Sequence, residues 1–204
     1  MSASAATVPR TSRGAATRAR IVSVAAELMR ANGVASTSLD AVLAASDTSK
    51  SQLYHYFADK DALVLAVIQR QTECVLATES ASPSQLTSIA ALRRWRHDVI
   101  EQTREHDGAG GCPLGSLVSE LAETPRSRAL LSEGFARWEA QFVEGFEAIR
   151  ARSKSKPKAK LEDLAMTLLT ALQGGLLLAQ VTRTMRPLEL ALDAAIDHIA
   201  SQLK

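Results

Sequence analysis

The sequence predicts an all-α protein of about nine helices, and three observations support this fold class. Hydrophobic residues make up 46% of the 204 residues but aromatic residues only 4%, and the abundant Ala and Leu are strong helix formers. Apolar residues recur every three or four positions, as on one face of a helix. Gly, Pro and polar clusters interrupt this pattern, and no strand-like alternation of useful length occurs. A chain of this length can form one large or two small domains.

The N-terminus is predicted to be a flexible basic tail over residues 1–15. Residues 1–20 contain four arginines and no acid, so they carry +4 while the rest of the chain sums to −2. Such a basic arm suggests a polyanionic partner at that end, although a solvated tail explains it equally well.

Three short helices are predicted after the tail, and a fourth connects them to the rest of the chain. The first covers residues 16–31. Gly33 follows it, at a position where a left-handed C-terminal cap is expected. The second begins at Thr37 as its N-cap, with Asp40 completing an approximate capping box. The third begins near residue 49, and the fourth runs from Lys60.

The remaining chain is predicted to form a larger helical body, so that residues 16–60 are one domain and 61–204 another. Ser80 to Ser84, containing Pro83, marks a boundary, and the lysine-rich stretch around Pro157 reads as an exposed loop rather than a second DNA site. The predicted body helices cover residues 87–106, 113–122, 125–152, 161–184 and 187–203.

Several classes of protein find no support in the composition. We expect no apolar run to approach the roughly 20 residues of a membrane span. The N-terminus lacks the apolar core of a secretory signal, and this predicts a cytoplasmic protein. Cys74 and Cys112 lack disulfide-scaffold or metal-site spacing. The scattered histidines, without a nucleophile elbow or phosphate loop, predict neither an enzyme nor a cofactor. These four histidines are His55, His97, His106 and His198.

The most informative stretch is Thr37 to Lys60, TSLDAVLAASDTSKSQLYHYFADK. Two short helices joined by a brief turn form a helix-turn-helix, whose second helix enters the major groove of DNA. Lys50 can donate to guanine acceptors and Gln52 can pair with adenine. The third predicted helix carries a polar, cationic tip, Ser49-Lys50-Ser51-Gln52, while Leu53 and Phe57 anchor it to the core.

This stretch resembles the TetR family of bacterial regulators, whose pattern Ser-Lys-x-x-Leu-Tyr-x-Tyr-Phe followed by Lys stands here at residues 49–57 and Lys60. The resemblance covers roughly residues 16–70. It implies a three-helix DNA-binding head, a connecting helix, and a divergent ligand-binding body that dimerises. It also implies phosphate contacts from Thr37, Ser38, Tyr54 and Lys60, and base contacts or near approaches from Ser49, Lys50, Gln52 and His55.

Two positions depart from the family pattern, and two assignments keep alternatives. Asp47 stands where the family usually has Gly, yet Asp tolerates a left-handed conformation at some cost. Asp40 stands where a cation often touches DNA, so it is excluded from the contacts. His55 could instead be a surface or packing residue, and Tyr54 could belong to the core.

The helix predicted at residues 161–184 is apolar on more than one side, which requires cover from its own body and from something else. Gly174-Gly175 in its middle suggests close approach of a second backbone. With the apolar helix at residues 187–203 it would form a four-helix dimer interface, as the resemblance implies. We expect Gly175 to lie in that interface.

A short stretch, Gly111 to Leu117, resembles the LmrA/YxaF-like subgroup of the family. Between the body helices we predict a small-molecule cavity, although a dry core explains any single lining residue as well. The predicted lining residues are Trp95, Val99, Cys112, Leu117, Trp138, Phe142 and Gln173.

The function predicted from these patterns is a homodimeric regulator of double-stranded operator DNA, with no membrane partner. It is expected to act as a repressor that an apolar, aromatic effector releases. One alternative is a thiol-based sensor of oxidants or electrophiles through Cys112; another is a helical adaptor protein. Residue patterns do not distinguish a repressor from an activator.

Overall fold

A computed structural model describes residues 11–77, 86–152 and 159–203, and this part of the chain is helical throughout, without strands. The all-α prediction is confirmed. The described residues form nine α-helices and a 3-10 turn at Gly115–Leu117. The helices are α1 Ser12–Asn32, α2 Leu39–Ser46, α3 Lys50–Tyr56, α4 Lys60–Leu76, α5 Ile89–Glu105, α6 Val118–Leu121, α7 Pro125–Arg152, α8 Leu161–Thr182 and α9 Arg186–Leu203.

Helix α1 begins four residues earlier than predicted. The Thr11 hydroxyl accepts a hydrogen bond from the backbone N–H of Gly14 at 3.1 Å, so Thr11 is the N-cap. Residues 12–15 are therefore helical rather than part of a tail. The rest of the predicted tail, the boundary at Pro83 and most of the lysine-rich loop lie outside the described residues.

The described chain divides into two compact units. The first comprises the described residues up to Glu73 together with Leu117–Ser132; the second comprises Cys74–Ser116 and Glu133–Lys204. The expected division after residue 60 differs from this arrangement, because most of α4 and the segment containing α6 group with the head. Helices α4 and α7 each continue from one unit into the other.

The first unit is built around apolar side chains of α1, α3 and α4. Helix α1 packs against α2 and α3, and the guanidinium of Arg18 lies over the ring of Phe57 at 5.2 Å. A cation at this distance from a ring face is attracted by the ring quadrupole. The largest fully buried side chains of this core include Ile21, Leu53, Phe57, Leu63 and Ile68.

The second unit depends on the close packing of α8 against α9. A Cβ placed on Gly175 would lie 2.8 Å from the Cα of Leu188, so the glycine is required by a helix of the same chain. The expectation that Gly175 serves a partner subunit is therefore wrong. A Cβ on Gly174, in contrast, would meet nothing within 4 Å. The buried face of α9 consists of Leu188, Leu192, Ala195, Ile196, Ile199, Ala200 and Leu203.

Helix α5 also packs on α9, and ion pairs join the two helices at their exposed edges. Arg96 and Asp193 approach within 2.7 Å and Arg93 and Asp197 within 2.9 Å. Exposed pairs of this kind contribute at most about 1 kcal/mol each, so burial of the apolar α9 face holds the unit together.

Helix α8 is apolar on both sides, as the sequence predicts. Leu164, Leu168 and Leu172 are buried on one side. On the other side, large side chains remain exposed: Met166, Leu177, Leu178 and Val181, with Val181 at 74%.

The expectation that no apolar run approaches a membrane span is wrong for α8. An 18-residue window of this helix has a mean hydropathy of 1.6, and with a length of 22 residues the helix would suffice to cross a membrane, by length and composition only. No charged residue occurs after Asp163 in this helix. Because α9 covers one face, 39% of this window is buried within the chain itself, and the rest of the helix surface is exposed in the single chain.

Two adjacent glycines allow a matched test of this packing. Gly175→Ala should lower the free energy of unfolding by about 1–3 kcal/mol, because the new methyl group meets the α9 backbone. Gly174→Ala should raise it by about 0.5–1 kcal/mol, because Ala is the better helix former. Urea unfolding followed by circular dichroism measures both; equal effects of the two variants would contradict the packing described.

Candidate nucleic-acid interface

The turn between α1 and α2 decides which hydroxyl faces outward. The Ser38 hydroxyl accepts a hydrogen bond from the backbone N–H of Ala41 at 3.1 Å, so Ser38 caps α2 and the predicted N-cap, Thr37, is wrong. Thr37 is only 3% exposed, and its hydroxyl donates to the carbonyl of Gly33 at 2.8 Å. In this conformation Ser38, and not the Thr37 side chain, is open to a phosphate.

The turn between α2 and α3 is left-handed, as expected. Asp47 adopts φ 49° and ψ 50°, and its backbone N–H donates to the carbonyl of Leu43. Beyond it, the hydroxyls of Ser46 and Thr48 lie 2.7 Å apart. An aspartate therefore makes the tight turn that a glycine would make more easily.

Helix α3 begins with a complete capping box. The Ser49 hydroxyl accepts from the backbone N–H of Gln52 at 3.2 Å, while the backbone N–H of Ser49 donates to Oε1 of Gln52 at 2.9 Å. A bidentate pair with adenine needs both the oxygen and the nitrogen of a Gln amide. With Oε1 held by the cap, the Nε2 amide group is the part of Gln52 that the capping box does not engage, and it is the group we expect to meet a base.

The exposed face of α3 carries the other predicted contacts. Lys50, Ser51, Tyr54 and His55 are exposed, and Tyr54 at 45% is not a core residue. Lys50 and Tyr54 form one i,i+4 row, and Ser51 and His55 form the next. The His55 ring packs edge-on against the buried Tyr56, with centroids 4.8 Å apart, which limits its orientations. The helix therefore presents two parallel rows of polar side chains.

Lys60, the first residue of α4, is half-buried and already has one partner. Its Nζ donates to the carbonyl of Ala35 at 3.0 Å. An ammonium group has three donors, so the remaining two can serve a phosphate. The contact fixes the amine beside the α1–α2 turn.

Glu120 of α6 is a residue of this region that the sequence interpretation missed. Its carboxylate accepts from the backbone N–H groups of Val34 at 2.9 Å and Ala35 at 2.8 Å. These two hydrogen bonds, with the charge of Lys60, hold the pKa of Glu120 below its usual value. No local pattern signals a contact between residues 85 positions apart.

Three of the predicted ligand-lining residues come together in the second unit. The rings of Trp95 and Phe142 meet edge-on with centroids 5.5 Å apart, and Trp138 stacks on Phe142 at 6.4 Å. Phe146 extends the stack. Val99 is half-buried on α5. Leu117 is buried but belongs to the first unit.

Besides Nε of Arg96 and Oε1 of Gln141, two buried polar atoms of this unit lack a hydrogen-bond partner among the described residues: Nε1 of Trp138 and Nε2 of Gln173. A buried donor without a partner is unfavourable by about 1–3 kcal/mol, so such atoms are uncommon in a dry core. Both belong to the predicted lining set.

Cys112 is buried and its thiol is protected. It is 6% exposed, and its Sγ accepts from the backbone N–H of Gly115 at 3.2 Å. Burial raises the pKa of the Cys112 thiol above its usual value, although this hydrogen bond, the nearby Gln173 amide and the Leu114 N–H act in the opposite direction. The Gln173 amide nitrogen itself makes no hydrogen bond of ordinary geometry. Little thiolate is therefore available at neutral pH.

Comparison with known proteins agrees with the geometry of the head and extends to the second unit. Residues 21–67 match the family described as bacterial regulatory proteins, tetR family, and residues 88–194 match the C-terminal domain of LmrA/YxaF-like transcriptional regulators. The second match alone covers more than half of the chain. The chain belongs to the TetR family.

Relatives and solved structures show the same similarity along most of the chain. An HTH-type transcriptional regulator in the lacX 3′ region of Lactococcus lactis subsp. lactis is 26% identical over 181 residues, 85% of this chain and 88% of that protein. The regulator YxaF of Bacillus subtilis is 25% identical over 182 residues, 87% and 92% of the two chains. A TetR-family regulator from Cytophaga hutchinsonii shares the fold, with a TM-score of 0.76 at 20% identity over 96% and 98%.

TetR-family membership makes this protein a DNA-binding transcriptional regulator. Proteins of the family bind operator DNA and act as dimers. The residues that read the operator in this chain remain predictions from the geometry of α3 and its neighbours.

Two substitutions on one row of α3 should separate base reading from phosphate binding. Lys50→Ala should weaken binding to the preferred duplex by about fivefold to a hundredfold, because a base contact is lost. The ratio of the affinity for the preferred duplex to the affinity for random DNA should therefore fall. Tyr54→Phe should weaken both affinities alike, because a phosphate contact carries no sequence information. Titration of a duplex selected from a random pool and of a scrambled duplex measures both ratios. An unchanged ratio in Lys50→Ala would exclude Lys50 as a base reader.

The two cysteines should differ in reactivity. At pH 7.5, iodoacetamide should modify the exposed Cys74 at least tenfold faster than the buried Cys112, because burial suppresses the Cys112 thiolate. The difference should narrow as the pH rises above 9 and disappear in urea. Peptide mass spectrometry over time measures both rates; equal rates in the folded protein would contradict the burial.

Proposed function

We propose that this TetR-family regulator is a repressor, which a small aromatic effector releases from its operator. The observation that carries the DNA-binding half is the exposed tip of α3, where Lys50 and Tyr54 project from a helix that buried Leu53 holds in place. The proposed phosphate contacts are Ser38, Tyr54 and Lys60, and the proposed base readers are Lys50 and, through Nε2, Gln52. The inward-facing Thr37 side chain is not among them. The protein would act in the cytoplasm.

The exposed apolar face of α8 supports a homodimer. Met166, Leu177, Leu178 and Val181 lie on the side of α8 that α9 does not cover. Contiguous apolar surface of this kind is typical of a protein interface. Two copies joined there would offer two α3 helices to half-sites at least one helical turn, about 34 Å, apart on a near-palindromic duplex.

The ring cluster of Trp95, Trp138 and Phe142 supports an aromatic effector in the second unit. Because the buried Nε1 of Trp138 is a donor without a partner, we propose that this effector carries a hydrogen-bond acceptor such as a carbonyl oxygen. The effector must bind the DNA-incompetent state more tightly than the competent one, because equal affinity for both shifts nothing. Helix α4, which continues from the first unit into the second, is the proposed route by which that change reaches the head.

A thiol-based sensor is the second candidate, and it depends on Cys112. The burial of this thiol and its raised pKa favour non-covalent release over modification by an oxidant or electrophile. A helical adaptor protein would not require the cationic tip of α3.

The deciding experiment measures release from a selected operator duplex by fluorescence anisotropy. Wild-type protein and Cys112→Ser are titrated with aromatic carbonyl compounds and, separately, with electrophiles. Release of both proteins by the same aromatic compounds supports the cavity. Loss of every response in Cys112→Ser, with DNA binding intact, would identify Cys112 as the sensor instead. Footprints upstream of neighbouring genes, with reporter assays, distinguish a repressor from an activator.

A charge on the exposed face of α8 should abolish the dimer. Leu177→Glu places a carboxylate in the proposed interface and should lower the association constant at least a hundredfold, because a buried unpaired charge is strongly unfavourable. Ala90→Glu, at an exposed position of α5, is the matched control and should remain dimeric. Sedimentation velocity across a dilution series measures both. A dimeric Leu177→Glu variant would place the interface elsewhere.

The Trp138 indole should discriminate effectors by their acceptor. Trp138→Phe should raise the effector concentration needed for operator release about tenfold for an aromatic carbonyl compound, because one buried hydrogen bond is lost. An aromatic hydrocarbon of similar size should be affected much less, since it makes no such bond. If both compounds lose potency alike, Trp138 contributes only packing.

A further inference from the structure

The carboxylate of Glu120 joins the short helix α6 to the turn between α1 and α2. One oxygen accepts from the backbone N–H of Val34 at 2.9 Å and the other from that of Ala35 at 2.8 Å. Neither of these N–H groups belongs to a helix, so a side chain supplies the partner that a regular element would otherwise provide. Two hydrogen bonds to one carboxylate fix the orientation of the turn as well as its position.

The turn is shaped to receive this carboxylate. Gly33 adopts φ 84° and ψ 159°, a conformation open almost only to glycine. A Cβ at Gly33 would lie 3.1 Å from Oε1 of Glu120, closer than most side-chain contacts allow. The missing side chain therefore permits both the turn and the approach of Glu120. The carbonyl of Gly33 accepts from the buried Thr37 hydroxyl, which ties the turn to the start of α2.

Lys60 completes the contact from the other side of the turn. Its Nζ donates to the carbonyl of Ala35 at 3.0 Å, while the N–H of the same residue donates to Glu120. The turn is thus held through its N–H groups by an anion on α6 and through a carbonyl by a cation on α4. It leads directly into Ser38, the cap of α2.

We infer that Glu120 is a positioning residue for DNA binding: from α6, its carboxylate holds the α1–α2 turn so that Ser38 and the Lys60 amine are set for the operator phosphates. This inference rests on the DNA contacts proposed above for these two residues. We assign Glu120 no DNA contact of its own. It acts through the backbone of Val34 and Ala35.

The first measurement uses the wild-type protein alone. The backbone amides of Val34 and Ala35 should exchange with solvent at least tenfold more slowly than their unprotected rates, although Ala35 is exposed and lies in a turn. Amide exchange followed by NMR reports each residue separately. Unprotected amides at both positions would overturn the inference without any variant.

The second measurement uses Glu120→Gln, with Glu123→Gln as the matched control. Glutamine has the same shape, but its NH₂ group faces one of the two donors, so exchange at Val34 or Ala35 should accelerate at least tenfold. Operator affinity should fall about tenfold under conditions where circular dichroism shows a folded protein. Glu123, three residues along and exposed, makes no hydrogen bond or ion pair in the described part of the chain, so Glu123→Gln should change neither quantity. Faster exchange with unchanged affinity would make Glu120 merely structural and would overturn the inference.

A double-mutant cycle with Lys60→Met separates positioning from a general loss of stability. If Glu120 acts in part through the Lys60 amine, the double variant should lose less operator affinity than the product of the two single losses. Independent roles would make the two losses in affinity multiply, and that result overturns the inference. Wild-type protein that binds no duplex would instead overturn the proposed DNA contacts, while the exchange rates would still report on the turn.

Discussion

The burial of Leu53 and Phe57 beneath α1 is the contact on which the DNA-binding surface depends. Both side chains are fully buried; Leu53 lies in the middle of a helix of only seven residues, and Phe57 is its C-cap. A peptide of that length is not a stable helix in water. Its orientation, and with it the direction of Lys50 and Tyr54, is therefore set by the core below rather than by the helix itself.

Much of the fold could be predicted because the residues that begin and end its helices act on their immediate neighbours in the sequence. Gly33, Asp47 and the Pro125 that opens α7 lie where the sequence places breaks, and the limits of α7 agree to the residue. Adjacent residues with the same capping chemistry were harder to separate. Thr37 and Ser38 can both cap a helix, and only the fold shows that the Thr37 hydroxyl faces Gly33. The exposed face of α3 was predicted from its spacing, which is again a local property.

The parts that could not be predicted depend on distant partners or on competing uses of one group. Glu120 meets residues that lie 85 and 86 positions away, and no periodicity carries that information. Gly175 was correctly read as a point of close backbone approach, but the approaching helix is α9 of the same chain and not a second subunit. Gln52 has the right chemistry for adenine, yet its Oε1 already completes the α3 cap.

The same weakness of isolated short helices makes the head suited to regulation. Helices α2 and α3 contain eight and seven residues, so their alignment depends on contacts supplied by α1, α4 and α6. A displacement of any of these longer-range contacts would alter the DNA-binding surface without unfolding it, because the caps of α2 and α3 and the turn between them are local. A head built from long helices that are stable on their own could also bind DNA, but changes elsewhere in the chain would have little effect on its DNA-binding surface. Dependence on distant contacts is thus the physical condition under which an event elsewhere in the chain can change affinity for an operator.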